Sequence, residues 1–92
     1  MNPAFSSRCF FAVEAENDPT VATRLLHLLT VRGQTPEWFS LRKHRPEALR
    51  ISVEVAGVDD AAARQLAQQM QRIPAVIGVS RSWLARRDAL TP

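Results

Sequence analysis

The fold class this sequence predicts is α+β, a ferredoxin-like βαββαβ arrangement. Segments 8–16, 34–44, 49–55 and 75–84 alternate apolar and polar residues with the two-residue period of a strand. Segments 19–32 and 59–72 repeat apolar residues at helical spacing. The link between the second and third strands, Arg45, Pro46 and Glu47, is short enough to require an antiparallel hairpin. Right-handed crossovers then place both helices on one face of a four-stranded antiparallel sheet. The other face is left open.

Taken in order, residues 1–7 are small and polar and are expected to fray. In the first strand Cys9, Phe11, Val13 and Ala15 form an apolar set, and the alternate set ends in Glu14 and Glu16. This is a strand with one buried face. The first helix is predicted over 19–32. Asp18 is placed to cap it, and Pro19 suits the first helical position because its missing N–H has no intrahelical partner there. Val21, Leu25, Leu28 and Leu29 share its inner face, while Thr20, Thr23, Arg24 and His27 face water. Gly33 supplies the left-handed residue that ends it.

The second strand, 34–44, carries Pro36 near its start, with Phe39 and Leu41 inward. Leu49, Ile51, Val53 and Val55 give the third strand its buried set, and Gly57 ends it. Asp59 or Asp60 caps the second helix, whose stripe is Ala63, Leu66, Ala67 and Met70, continued by Ile73. Pro74 stops that helix, and in the fourth strand Ile77 and Val79 are expected on the buried side. Residues 85–92 read as a basic tail, so residues 1–92 form one domain with its core over about 8–84. The open face should carry Phe10, Ala12, Trp38, Ser40 and Ser52, and an exposed Trp38 beside Phe10 suggests contact with another chain.

The 92 residues can bury one modest core, and 46% hydrophobic with 23% charged residues is an ordinary globular composition. No apolar run is long enough to span a bilayer, and the first residues lack the layout of a secretory signal. The single cysteine, Cys9, excludes an internal disulfide and a paired-cysteine metal site. These features together favour the cytoplasm, with no membrane association. The net charge of +3 is weak, and a solvated surface explains it better than nucleic-acid binding.

No catalytic constellation is visible. His27 falls on the polar side of a helix, His44 lies between Lys43 and Arg45, and neither has a Ser, Cys or carboxylate in a relay arrangement. The acids are dispersed, and Asp59-Asp60 reads as a helix cap. The first loop lacks the cysteines of a copper carrier and the glycines of a phosphate cradle, and the sheet lacks the aromatic motif of an RNA-recognition domain. The turn ahead of the first helix is different. Its backbone N–H groups and the positive end of the helix dipole form a seat for a carboxylate. A regulatory or interaction module is the class that remains.

The run ENDPTVATRLLHLLTVRG, residues 16–33, resembles the opening of ACT domains: an Asn, a Pro and then a leucine-rich helix. It is most similar to the small regulatory subunit of acetolactate synthase, whose opening likewise runs from Glu-Asn to Arg-Gly, here Arg32 and Gly33. Glu37, Phe39 and Leu41 fit the next strand, and QMQRIPAVIGVS, residues 69–80, fits the close. The resemblance covers residues 9–82. It implies a homodimer that binds the large catalytic subunit of acetolactate synthase and raises its activity. Thiamine diphosphate, magnesium and flavin belong to that large subunit, so this chain is expected to bind no cofactor or metal and to catalyse nothing.

The resemblance also implies an effector site for valine, leucine or isoleucine at Asn17, Asp18, Pro19, Thr20 and Val21. Asn17 would hydrogen-bond the effector, and backbone N–H groups near Thr20 and Val21 would hold its carboxylate. The pattern departs at Thr20, where the family has glycine, and at Gln34-Thr35, where it has Tyr-Asn. With no second domain after the tail, the chain resembles the short type. A free-standing amino-acid-binding ACT protein and an RNA-binding ferredoxin-like domain are the alternatives.

Overall fold

The computed structural model describes residues 7–85. The order is β1 (Ser7–Glu16), α1 (Thr20–Val31), β2 (Trp38–Arg45), β3 (Ala48–Ala56), α2 (Asp60–Gln71) and β4 (Val76–Ala85). The sheet is antiparallel and four-stranded in the order β2-β3-β1-β4, so the edges are β2 and β4. This is the βαββαβ topology that the sequence predicts.

β1 organises the core because it pairs on both sides, with β3 and with β4. Cys9, Phe11, Val13 and Ala15 are all buried, as their alternation requires. Ile51, Val53 and Val55 continue this layer on β3. Val21, Leu25 and Leu29 of α1 and Ala63, Leu66 and Met70 of α2 close over it, which puts both helices on one face. Leu28, Ala67 and Ile73 pack at the margin of the cluster. The burial of Cys9 pushes its thiol up from its ordinary value.

The ends of the elements follow local chemistry. Gly33 has φ +72°, Gly33 N–H donates to the Thr30 carbonyl at 3.0 Å, and Gln34 N–H donates to Leu29 at 2.8 Å. That pair of bonds is a Schellman closure. Gly57, with φ +75°, ends β3. Asp59 caps α2, its carboxylate accepting from Ala62 N–H at 2.8 Å.

The structure departs from the expected pattern at several places. Ser7, expected in the loose leading segment, already belongs to β1. β2 begins at Trp38 and not at Gln34, because Pro36 has no N–H to give and biases Thr35 towards an extended link. Pairing starts at Glu37, whose N–H reaches the Glu54 carbonyl at 2.7 Å. On β2 Leu41 is exposed and Phe39 is partly covered, because neither helix extends over this edge far enough.

Ile77 is the clearest correction: it is 55% exposed. Ala15 pairs with Val76 while Glu14 pairs with Gly78, so Ile77 is the extra residue of a β-bulge. The bulge changes the parity, and Val76 and Val79 both meet the core while Ile77 turns away. The basic tail beyond residue 85 lies outside the described residues.

Truncating Phe11, fully buried, to alanine is expected to cost about 3–5 kcal/mol. Replacing Gly57 by alanine is expected to cost about 1–2 kcal/mol from backbone strain alone, because a Cβ there would meet nothing within 4 Å. Urea unfolding measures both. A neutral Gly57→Ala would show that the turn relaxes out of the left-handed region.

Candidate functional site

The β1–α1 loop lies where the β2–β3 turn and the start of β4 converge. Glu16 N–H donates to the Ala75 carbonyl at 2.8 Å, and Asn17 N–H donates to the Glu47 carbonyl at 3.0 Å. The Asn17 side-chain amide donates to the Pro46 carbonyl at 3.0 Å. Asn17 therefore fastens the loop to the hairpin turn, and its side chain is not the cap of α1.

Asp18 provides the cap. Its Oδ1 accepts from Thr20 N–H at 2.9 Å and from the Thr20 hydroxyl at 2.7 Å, and its carbonyl accepts from Val21 N–H at 3.2 Å. Pro19 between them has the helical φ of −64°, as a proline must. These bonds hold the Asp18 carboxyl below the usual carboxylate range, chiefly through the Thr20 backbone N–H and then its hydroxyl, with the Arg24 charge adding to them. The five positions Asn17, Asp18, Pro19, Thr20 and Val21 thus form one compact turn. In this state an internal carboxylate occupies the Thr20 N–H. Thr20 Oγ1 also accepts from Arg24 Nε at 3.4 Å, which continues the line of polar contacts into α1.

The open face of the sheet is organised in cross-strand rows. Trp38, Glu54, Phe10 and Ser82 form one row, and Ser40, Ser52, Ala12 and Ser80 the next. The third is Arg42, Arg50, Glu14 and Gly78. Phe10 and Trp38 thus share this face as expected, but Glu54 stands between them. The small middle row leaves a shallow groove of about 560 Å³ between the aromatic row and the charged row. Arg8 pairs there with Glu54 at 3.0 Å and Glu37 at 3.8 Å. Arg45 lies 4.0 Å from Glu14 and 3.9 Å from Glu47.

A second concavity, of about 430 Å³, lies on the helical side. Thr23, Arg24 and His27 of α1 form one wall, and Gln69, Arg72 and Ile73 at the end of α2 form the other, with Pro74 closing it. This groove has no counterpart in the sequence reading, which placed Thr23, Arg24 and His27 only as a wet helix face. The signal that could have found it is the sharing of a helix face by Arg24 and His27, with Arg72 at the end of the facing helix.

Among the described residues, no group of three or more His, Cys, Asp or Glu side chains is arranged to hold a metal, and no helix is long and apolar enough to cross a membrane. His27 is exposed on α1, and Nε2 of His44 lies 3.4 Å from Nη2 of Arg50.

No protein-family model and no curated protein matches the sequence. Solved structures match the fold. The crystal structure of the ACT domain from GTP pyrophosphokinase of Chlorobium tepidum aligns with TM-score 0.71 at 8% identity, over 82% of this chain and 96% of that one. The C-terminal domain of the MgtC protein from Mycobacterium tuberculosis gives TM-score 0.68 at 12% identity, over 92% and 93%. The regulatory subunit of aspartate kinase from Thermus thermophilus gives 0.63 at 11% identity, over 87% of this chain and 51% of that one. At such identities the likeness is one of fold, and the fold is the ferredoxin-like one that ACT domains share.

The Asp18 turn makes a pH-dependent contribution whose sign is fixed. Its carboxyl is depressed in the folded state, so its contribution is present above the ordinary carboxylate value of about 4 and is lost as pH falls through the folded value. Asp18→Ala is expected to lower the urea midpoint at pH 7, and this difference should shrink in acid, where the neutral carboxyl is a weaker acceptor. A difference that persists unchanged at pH 2 would show that the carboxylate is not the source.

Proposed function

We propose that this protein is a non-catalytic regulatory module of the ACT kind: the short regulatory subunit of acetolactate synthase, homodimeric and cytoplasmic. One observation carries the reading. The run ENDPTVATRLLHLLTVRG falls at the β1–α1 corner of a chain that follows the path of an ACT domain. The neighbours described as an ACT domain and as a regulatory subunit support the regulatory class. The link to acetolactate synthase rests on the sequence resemblance.

The mechanism is allosteric. A subunit that binds one state of a catalytic partner more tightly shifts that partner's population towards the bound state. Dimerisation is consistent with the outer edge of β2, which meets no further strand among the described residues, and with Trp38 at 57% exposure beside that edge. Mixing the protein with a cognate large subunit is expected to raise its turnover severalfold, with co-elution of the two chains. Unchanged turnover together with separate elution would sink the assignment.

The effector site proposed for this subunit is the turn Asn17, Asp18, Pro19, Thr20 and Val21. Binding there requires Asp18 to release the Thr20 N–H to the effector's carboxylate, because the two anions compete for one donor and repel each other. Valine, leucine or isoleucine is therefore expected to bind weakly to the native chain. Thr20→Gly, which removes the hydroxyl bond to Asp18 and clears space, should bind severalfold tighter. Calorimetry reads both, and flat traces for both chains with all three amino acids would leave the turn purely structural. A free-standing amino-acid-binding protein is the second reading. It is favoured if the effector binds and the large subunit does not.

A further inference from the structure

We infer that the groove between α1 and the end of α2 is a docking site for a segment of a partner protein that presents carboxylates beside apolar side chains. The inference names the surface by which the regulatory module proposed above would meet its partner, and in that part it rests on that reading. The groove floor is apolar at Ile73 and Pro74, and Arg24, His27 and Arg72 surround it. Among the described residues, no carboxylate lies within 4.0 Å of the Arg24 or Arg72 guanidinium, although six such contacts occur elsewhere. Asp18 is the acid that feels Arg24, and Thr20 already holds it. Cations left without a carboxylate partner around an apolar floor are complementary to an acidic, apolar ligand.

The form of the groove selects a polypeptide. It is shallow and open to solvent, so it does not enclose a small molecule as a ligand pocket does. An amphipathic segment laid over it covers the apolar floor from outside and brings its acids to the arginines. A second copy of this chain does not fit, because pairing the groove with itself sets Arg24 and Arg72 against their own images. The open sheet face is the weaker candidate. Arg8 and Arg45 are matched there by acids within the chain, and although Arg42 and Arg50 have no carboxylate within 4.0 Å among the described residues, Glu14 lines that groove and repels an acidic segment.

The test uses the full chain and two probes. The first is a peptide of two helical turns that interleaves leucine and glutamate, with a leucine–lysine peptide as control, followed by amide NMR. The acidic peptide is expected to shift Thr23, His27, Gln69 and Ile73, to bind more weakly as salt rises, and to lose at least about tenfold in affinity in the Arg24→Gln, Arg72→Gln double variant. The lysine peptide should shift none of these.

No shifts, shifts centred on Phe10 and Ser52 of the open face, or equal binding by a folded double variant would overturn the inference. The second probe is the large subunit of acetolactate synthase. Co-elution with the native chain and not with the double variant supports the groove. Equal co-elution of both overturns the groove and leaves the regulatory assignment standing. Co-elution of neither overturns that assignment, and the peptide titration then decides the groove.

Discussion

The structure depends on one strand being buried on a single face. β1 is central, paired on both sides, and Cys9, Phe11, Val13 and Ala15 are inaccessible to solvent. A strand presents alternate residues to opposite faces, so burying this set commits Phe10, Ala12 and Glu14 to the other side. Both helices then have only one apolar surface to cover, and they share it. The open sheet face is thus a consequence of where the hydrophobic set of β1 lies. A one-residue slip in register would exchange the two faces, which is why the nine-residue ladder with β3 runs without a bulge.

Where the chain obeys a single local rule, the sequence is legible. The β1 and β3 alternations, the α1 and α2 stripes, the Asp59 cap and the glycine stops at Gly33 and Gly57 all follow from period, cap or backbone freedom. The exceptions lie where two rules compete. Ile77 and Val79 alternate perfectly as written, yet one added residue opposite Glu14 and Ala15 cancels the alternation. Nothing in a strand's own residues announces a bulge, because it is a property of the pairing. Ala75, with φ +76° after Pro74, is similar: the reversal from α2 into β4 demands a left-handed residue where the chain has no glycine. The start of β2 was hidden for the opposite reason. Of residues 34–37, Gln, Thr, Pro and Glu, only Thr35 favours a strand, and Pro36 sits where a ladder donor is needed.

The candidate effector turn shows the same limit at the level of function. Sequence identifies Asn17 to Val21 as a polar turn ahead of a helix, and such turns offer N–H groups to anions. It does not say which anion takes them. The Asp18 carboxylate fills that role for Thr20, and Asn17 spends its amide on Pro46. A helix start that is satisfied internally is well ordered in the absence of ligand, and it binds an external carboxylate only by exchange. On the proposed assignment, weak binding of an amino acid follows from this competition without any change to the fold.

The two grooves differ in what their charges have already found. The sheet groove holds both Glu14 and Arg50, and Arg8 and Arg45 nearby are answered within the chain, so an acidic partner there would meet a carboxylate and displace ion pairs, each worth little but lost on binding. Among the described residues, Arg24 and Arg72 around the helical groove have no such ion pairs to give up. Arg24 is also the point where the candidate turn and the helical groove touch. Asp18 Oδ1 bonds the Thr20 hydroxyl, and Thr20 Oγ1 accepts from Arg24 Nε. A ligand that drew Asp18 off Thr20 would reset the partner of Arg24 one turn along α1, at the wall of the groove. The two proposed sites would then bias the same side chain through a line of exchangeable hydrogen bonds, and coupling of that kind is reciprocal. The short distance from turn to groove removes any need for a change in the sheet or in the helix packing.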